Sequence, residues 1–365
     1  GIKRFFAPTE GGSPSKRAKA EEGEGGQDSP LRFLAWNANG MGPRMGVSGK
    51  AKEANTNDMA AIREVIREHK PDFMVIQEVR LMAQAPPKAK KEDGQKRQRG
   101  MLNDTDKPQI NEKQAFNAFM RSDVLNGFTF TLSLADDRAA GSAVLIRKGV
   151  KKPKFSFSIE NFEDDSAHDS QGRVIIAEFD DLVVLSTYVP NNGVTQKSFE
   201  RRAKWDEKIK EYLVKKKGEG KNLLWLGDLN VAHTDADVSH PDFFRAFKGK
   251  EVPASADDAG QPGFTKNEQR RFGDILEAAD LADAYREKHP AGAQSAPASE
   301  RAYTWRGTDA PTDRYYQKGM RIDYTCLSRA LLPRLETAEV LGGADREGFL
   351  GSDHSPIVMT LRPAA

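Results

Sequence analysis

Residues 174–188 read Val-Ile-Ile-Ala-Glu-Phe-Asp-Asp-Leu-Val-Val-Leu-Ser-Thr-Tyr, two apolar runs separated only by Asp180 and Asp181. A connection that short admits a tight antiparallel hairpin and excludes the crossover that two parallel strands require. Because both runs are apolar at almost every position, both faces of the strands must be covered. A purely parallel doubly wound sheet is thereby set aside, and a layered α/β domain is expected.

Outward from this hairpin, further strands are expected at Leu31–Trp36, Phe73–Ile76, Ser142–Ile146, Leu223–Leu226, Ile322–Leu327 and Ile357–Leu361. Helical spacing links Met59, Ile62 and Ile66 up to Pro71. It recurs at Trp205, Ile209, Tyr212 and Leu213, and at Phe272, Ile275, Leu276 and Ala279. The last helix is announced by Thr265 and Glu268, whose spacing suits a capping box. Residues 1–30 are rich in Gly, Ser, Pro, Glu and Lys and read as a disordered tail, since they cannot offset the entropy of folding. The stretch from about 83 to 113 carries Lys88, Lys90, Lys91, Lys96, Arg97 and Arg99 without periodicity. It reads as a mobile insertion, or as a basic flap beside a phosphate backbone.

Composition bounds the chemistry. The chain has 365 residues, 56 Lys plus Arg against 54 Asp plus Glu, and one cysteine. That charge balance excludes a histone-like coat for nucleic acid. No run approaches the roughly 18 apolar residues of a membrane span, and no secretory signal is visible, so a soluble intracellular protein is expected. The lone Cys326 forbids an internal disulfide and a cysteine-built zinc site; its apolar surroundings suggest a buried, inert thiol. The first residue is Gly1, which leaves an upstream organelle presequence open.

Polar residues recur where the apolar strands end. Asn37 and Asn39 follow the first strand, Glu78 closes the second, Asp228 and Asn230 follow Leu223–Leu226, and Asp353 and His354 precede the last. Singly, each has an ordinary reading as a turn residue, a solvated charge or a local cap. Together, at the rim of a sheet, they can converge on one cleft. Oxygen ligands such as Glu78 and Asp353 suit a hard cation, Mg²⁺ or Mn²⁺, with positions left for water and a substrate phosphate. Asp228 can orient or deprotonate the attacking water, with Asn230 fixing its geometry. His354, paired with Asp323, can stabilise phosphoryl oxygens, and Tyr188 is a candidate acid at the leaving oxygen. Hydrolysis of a phosphodiester follows from this set.

These residues lie in segments that resemble the exonuclease III type of apurinic/apyrimidinic (AP) endonuclease, within the DNase I-like endonuclease/exonuclease/phosphatase superfamily. The segments are Trp-Asn-Ala-Asn-Gly from Trp36, Pro-Asp-Phe-Met-Val-Ile-Gln-Glu ending at Glu78, Tyr-Val-Pro-Asn from Tyr188, and Gly-Asp-Leu-Asn-Val-Ala-His from Gly227. Gly-Phe-Thr from Gly263, Arg-Ile-Asp-Tyr from Arg321 and Gly-Ser-Asp-His-Ser-Pro from Gly351 complete the series. The resemblance implies a four-layer sandwich of two packed mixed β-sheets flanked by helices, in one catalytic domain over residues 31–365. It implies Glu78 as principal metal ligand with Asn39 and Asp353 lining the site, Asn37 and Asp228 acting on water, and Asn230 and Asn191 on the phosphate. Tyr188 would lie near the scissile group, with His354 and Asp323 as the paired stabiliser.

The implied activity is divalent-metal-dependent cleavage of duplex DNA 5′ to an abasic site, with 3′-end processing, by a monomer in the nucleus or an organelle. Two departures stand out. Met320 occupies a position where family members often carry a Trp, leaving Trp305 and Ile322 to wall the sugar pocket, and Val194 stands where some relatives have an Arg. Another phosphodiesterase acting on RNA or a small phosphoester is the enzymatic alternative, and a clamp-tethered DNA-binding scaffold the non-enzymatic one. Ile2, Phe5 and Phe6 match part of a sliding-clamp-binding box, and Lys16, Arg17 and Lys19 a weak nuclear-import cluster.

Overall fold

The computed structural model describes residues 29–45, 56–85, 98–104, 111–159, 171–246, 249, 253–290, 302–342 and 349–364. Ile2, Phe5, Phe6 and the Lys16 cluster lie outside the described residues, as do the lysines expected at 88–96 and Arg97.

The hairpin forms as its sequence dictates. Strands β8 (Val174–Glu178) and β9 (Leu182–Thr187) pair antiparallel from Val174↔Thr187 to Glu178↔Val183, closed by Phe179 N–H donating to Leu182 O at 2.8 Å. Beside β9 lies β10 (Asn222–Asp228), parallel to it, and β14 (Asp323–Ser328) pairs antiparallel with β10. With β7 (Lys154–Ser156) and β11 (Leu281–Asp283) at the edges, the sheet order is β11-β14-β10-β9-β8-β7.

A second six-stranded sheet has the order β15-β16-β1-β2-β6-β5. Its centre is the parallel pair β1 (Arg32–Asn37) and β2 (Phe73–Gln77), and the other strands are β5 (Phe128–Ser133), β6 (Ser142–Arg147), β15 (Leu335–Val340) and β16 (Ile357–Leu361). Two short pairs complete the strands: β3 (Ala83–Gln84) with β4 (Gln98–Leu102), and β12 (Trp305–Arg306) with β13 (Gly319–Met320).

Strand alternation sorts the side chains into layers. Phe33, Ala35, Phe73 and Val75 from one sheet meet Ile175, Val184, Leu224 and Leu226 from the other in the central core. The opposite faces are capped by helices. Leu34, Trp36, Met74 and Ile76 pack on α1 (Thr56–His69) and α2 (Glu112–Met120) through Ile62, Ile66, Phe116 and Phe119. Leu223 and Trp225 pack on α3 (Gln196–Gly218) and α5 (Lys266–Ala279) through Trp205, Ile209, Phe272 and Ile275. The result is the expected four-layer sandwich. The remaining helices, α4 (Pro241–Arg245) and α6 (Ala284–Lys288), are short.

The capping box at Thr265 and Glu268 forms as expected. Among the described residues of 83–113, β3 pairs with β4, and Arg99 forms an ion pair with Asp136 at 3.3 Å. Cys326 is fully buried, and burial pushes its thiol well up. Among the described residues no helix is long and apolar enough to cross a membrane.

The two sheets are in close contact where β10 ends. Gly227 has φ +129°, and a Cβ there would fall 2.3 Å from Thr187 O and 2.4 Å from Gln77 Nε2, atoms belonging to different sheets. Gly227→Ala should therefore destabilise the fold by roughly 2–4 kcal/mol through combined strain and overpacking. The midpoint of urea unfolding checks this, and an unchanged midpoint would show that the sheets have slack at this point.

Candidate active site

The strand ends deliver the polar residues to one place. Asn37 ends β1, Glu78 follows β2, Tyr188 follows β9, Asp228 ends β10 and Asp323 begins β14. Asp228 and Asp323 are direct cross-strand partners. Because β16 runs antiparallel to β1, with Ala35↔Ile357 in register, the loop before β16 brings Asp353 and His354 to the same rim.

Asn37, fully buried, is the junction. Its Nδ2 donates to Glu78 Oε1 and to Asp228 Oδ2, both at 2.9 Å, and its Oδ1 accepts from Asn39 N–H at 2.9 Å. Asn39 Nδ2 in turn donates to Asp353 Oδ1 at 2.8 Å, and Trp305 Nε1 to Asp353 Oδ2 at 3.1 Å. Arg80 donates to Glu78 Oε2 through Nε at 2.9 Å and also through Nη2. Asn230 donates to Val189 O at 2.9 Å, receives Asn191 Nδ2 on its Oδ1 at 3.3 Å, and returns its own N–H to Asp228 Oδ1 at 3.0 Å. Asn39, Glu78 and Asn230 have φ of 47°, 49° and 50°. Left-handed backbone is uncommon for Asn and rarer for Glu, and its recurrence at three convergent positions marks a site held in place by its surroundings.

His354 Nδ1 lies 2.8 Å from Asp323 Oδ2 and its Nε2 3.9 Å from Asp228 Oδ2. Burial opposes a charge on this imidazole, but Asp323 and then Asp228 override it and raise its pKa, which keeps the ring protonated. Asp228 is itself pushed up, first by burial and then by Asp323. Burial, followed by Glu78, drives the Tyr188 phenol upward, so it stays neutral and able to donate. Asp228, Asp323 and His354 offer ligand atoms within 4.8 Å of one another. Glu78, Asp353 and Asn39 form a separate, all-oxygen donor set of the kind a hard cation prefers.

Beside these groups lies a cleft of about 320 Å³. Glu78, Tyr188, Asn191, Asp228, Asn230, Asp353 and His354 form its polar side, and Trp305, Met320 and Ile322 part of its apolar wall. Asn37 and Asp323 act from behind that lining, and exposed Asn39 from beside it, through the hydrogen bonds above. Phe244, Gln261 and Tyr315 also line the cleft and carried no signal in the sequence.

Arg202 was missed as well. Buried in α3, it donates to Pro190 O at 3.0 Å, Asn230 O at 3.1 Å and Leu229 O at 3.0 Å, with Nε on Asp206 at 2.8 Å. It thus clamps together the loops bearing Asn191 and Asn230. The available signal was its place on the apolar stripe of α3, three residues from both Phe199 and Trp205. Arg202→Met should cost about 3 kcal/mol or more by leaving buried acceptors and Asp206 without it. By contrast, Arg329→Ala, which loses exposed pairs 3.8 Å from Asp280 and 3.7 Å from Glu287, should cost under about 1 kcal/mol. Chemical denaturation checks both, and equal losses would contradict the clamp.

A model of the endonuclease/exonuclease/phosphatase family matches residues 34–354. The DNA-(apurinic or apyrimidinic site) endonuclease of Arabidopsis thaliana is 37% identical over 99% of this chain and 96% of that protein. An exodeoxyribonuclease of Streptococcus pneumoniae is 32% identical over 61% of this chain and 70% of its own. Among solved structures, a 3′ phosphatase from Neisseria bound to a product DNA hairpin superposes with a TM-score of 0.61 at 20% identity, covering 91% of this chain and all of the other.

Proposed function

The chain belongs to the endonuclease/exonuclease/phosphatase family, and from that premise we propose that it is a DNA repair hydrolase cutting the phosphodiester bond 5′ to an apurinic/apyrimidinic site. The products are a 3′-hydroxyl and a 5′ deoxyribose phosphate. The observation that carries this reading is the convergence of Glu78, Asp228, Asn230, Asp353 and His354 on a cleft with an apolar wall, in a chain similar to an AP endonuclease along nearly its whole length. A polar rim can take the phosphate while the wall takes a sugar without its base.

Glu78 and Asp353, with Asn39, would hold a divalent cation, Mg²⁺ or Mn²⁺. The donor set fits, because the carboxylate oxygens that accept from Asn37, Asn39 and Trp305 each keep a second lone pair for the ion. A cation bound there supplies Lewis-acid polarisation of the scissile phosphate. Asp228, held by Asn37 and Asn230, orients the attacking water and takes its proton, a task matched by its raised pKa. Protonated His354, fixed by Asp323, offers Nε2–H to a phosphoryl oxygen. Tyr188 keeps its proton for the leaving oxygen or the phosphate, its ring lying 4.3 Å under the guanidinium of Arg173.

The same cleft would process 3′ ends, a reading supported by the similarity to an exodeoxyribonuclease. A second reading, a phosphodiesterase of broader range acting on RNA or a small phosphoester, rests on Met320 in the wall. Clamp binding through Ile2, Phe5 and Phe6, nuclear import through Lys16, Arg17 and Lys19, and action as a monomer complete the proposal; these parts are supported by the sequence alone.

Duplex DNA with one abasic-site analogue should be cut at that position, with cutting abolished by a chelator and restored by Mg²⁺. Equal cutting of undamaged duplex, or full activity in chelator, would sink the reading. Asp228→Asn should lose roughly 10²–10⁴-fold in rate while retaining DNA binding; a nearly unaffected rate removes Asp228 from the mechanism. Deleting residues 1–12 should abolish capture by a sliding clamp, and undiminished capture would refute that part.

A further inference from the structure

The cleft wall poses a question that Met320 makes acute. Met320 is buried, and its Cε packs toward Gly263, 3.4 Å from where a Cβ would stand. An unbranched thioether is adaptable and makes a poor rigid wall. Trp305 is its cross-strand partner, but the indole is committed through Nε1 to Asp353 on the polar side.

The chain between β12 and β13, residues 307–318, brings in a third side chain. Tyr315 packs edge-on against Trp305, with ring centroids 5.8 Å apart at 82°, and against Phe243 at 5.7 Å and 84°. Its hydroxyl donates to Gln261 Oε1 at 2.8 Å, which ties this segment to the turn before α5. The seat beneath it is closed: a Cβ on Gly307 would lie 2.2 Å from Tyr315 O and 2.5 Å from Tyr315 Cβ. Backbone bonds complete the support, from Gly307 N–H to Lys318 O at 2.9 Å and from Lys318 N–H to Tyr315 O at 3.0 Å. Asp313 Oδ1 accepts from Tyr315 N–H at 2.7 Å. A half-buried aromatic on a connecting segment is thus set in one position before any substrate arrives.

We propose that Tyr315 is the residue that makes this cleft discriminate between a nucleotide without its base and one that still carries it. The inference rests on the abasic-site reading and names the side chain that enforces it. A ring fixed against Trp305 and Gln261 narrows the apolar end of the cleft. A base-free deoxyribose enters without moving it, whereas a complete nucleotide must displace a side chain held on three sides.

The test uses the full-length protein and two duplexes that differ only in an abasic analogue or a normal nucleotide at one position, together with a duplex ending in a normal 3′ nucleotide. The quantity read is the ratio of kcat/KM on the abasic duplex to kcat/KM on the base-bearing ones. Tyr315→Ala should lower that ratio roughly tenfold or more, the discrimination a single apolar contact supplies. Gly307→Ala, which displaces Tyr315 without removing it, should lower it in the same direction. Tyr315→Phe, which loses the hydroxyl's bonds to Gln261 and Arg314 but keeps the ring, should retain most of it. An unchanged ratio in Tyr315→Ala, or an equal loss on all substrates, overturns the inference while leaving abasic-site cleavage standing. An unmodified protein with no preference for the abasic duplex overturns the functional reading, and this inference with it.

Discussion

The side-chain amide of Asn37 is the interaction on which the site depends. Its single nitrogen spans Glu78, at the end of one sheet, and Asp228, at the end of the other, at 2.9 Å each. Two buried carboxylates that close would repel strongly in a medium of low dielectric. A neutral donor with two hydrogens satisfies both without adding a charge of its own, while Arg80 pairs with the other oxygen of Glu78. Gly227 leaves room for this geometry, because a Cβ there would press on both sheets where β10 ends. Sheet packing and site chemistry are in this sense one constraint: the close approach that would exclude a Cβ also brings the two carboxylates within reach of one amide.

From that junction the electrostatics propagate in a definite order. Asp228 and Asp323 face each other across neighbouring strands, and the charge of Asp323 adds to burial in opposing the ionisation of Asp228, so the pair calls for a cation. His354 supplies the cation, held by Asp323 on one nitrogen and facing Asp228 with the other. Asp323 raises the pKa of both the imidazole and Asp228, while the charged imidazole acts the other way on Asp228 and lowers it. Thr304 anchors the arrangement, its hydroxyl accepting the backbone N–H of Ile322 and of Asp323. Trp36 Nε1 holds the carbonyl of His354. None of these supports is charged, so they fix position without disturbing the balance of protons.

What could be read from the sequence follows from these same facts. Central strands are apolar on both faces and announce themselves, and the polar residues that end them stand out by contrast; Asn37, Glu78, Asp228 and His354 were legible for that reason. The edge strands were not. β5 and β15, the two edges of one sheet, mix exposed Thr and Glu into their runs and look like connecting segments until their partners are known. α2 spans only nine residues and follows a charged stretch without periodicity. Tyr315 and Phe244 reach the cleft from segments whose path is set by tertiary contacts such as the seat on Gly307, and no local pattern encodes that.

The near-equality of acidic and basic residues also takes on a different meaning in three dimensions. Among the described residues, ten Asp and Glu are buried against three Arg. Several of the acids are engaged inside the protein, with Arg202 and Arg321 binding Asp206, Asp237 and Asp283, and others form the site itself. An acid withdrawn from the surface no longer offsets a surface lysine, so among the described residues those that are not buried carry a positive excess. The potential a polyanion meets is set by charges near the surface, because screening removes distant ones within about 10 Å at moderate salt. A chain that is almost neutral in sum can therefore present a basic exterior around an acidic cleft. That division suits a substrate whose backbone is bound broadly and whose scissile phosphate is handled by carboxylates.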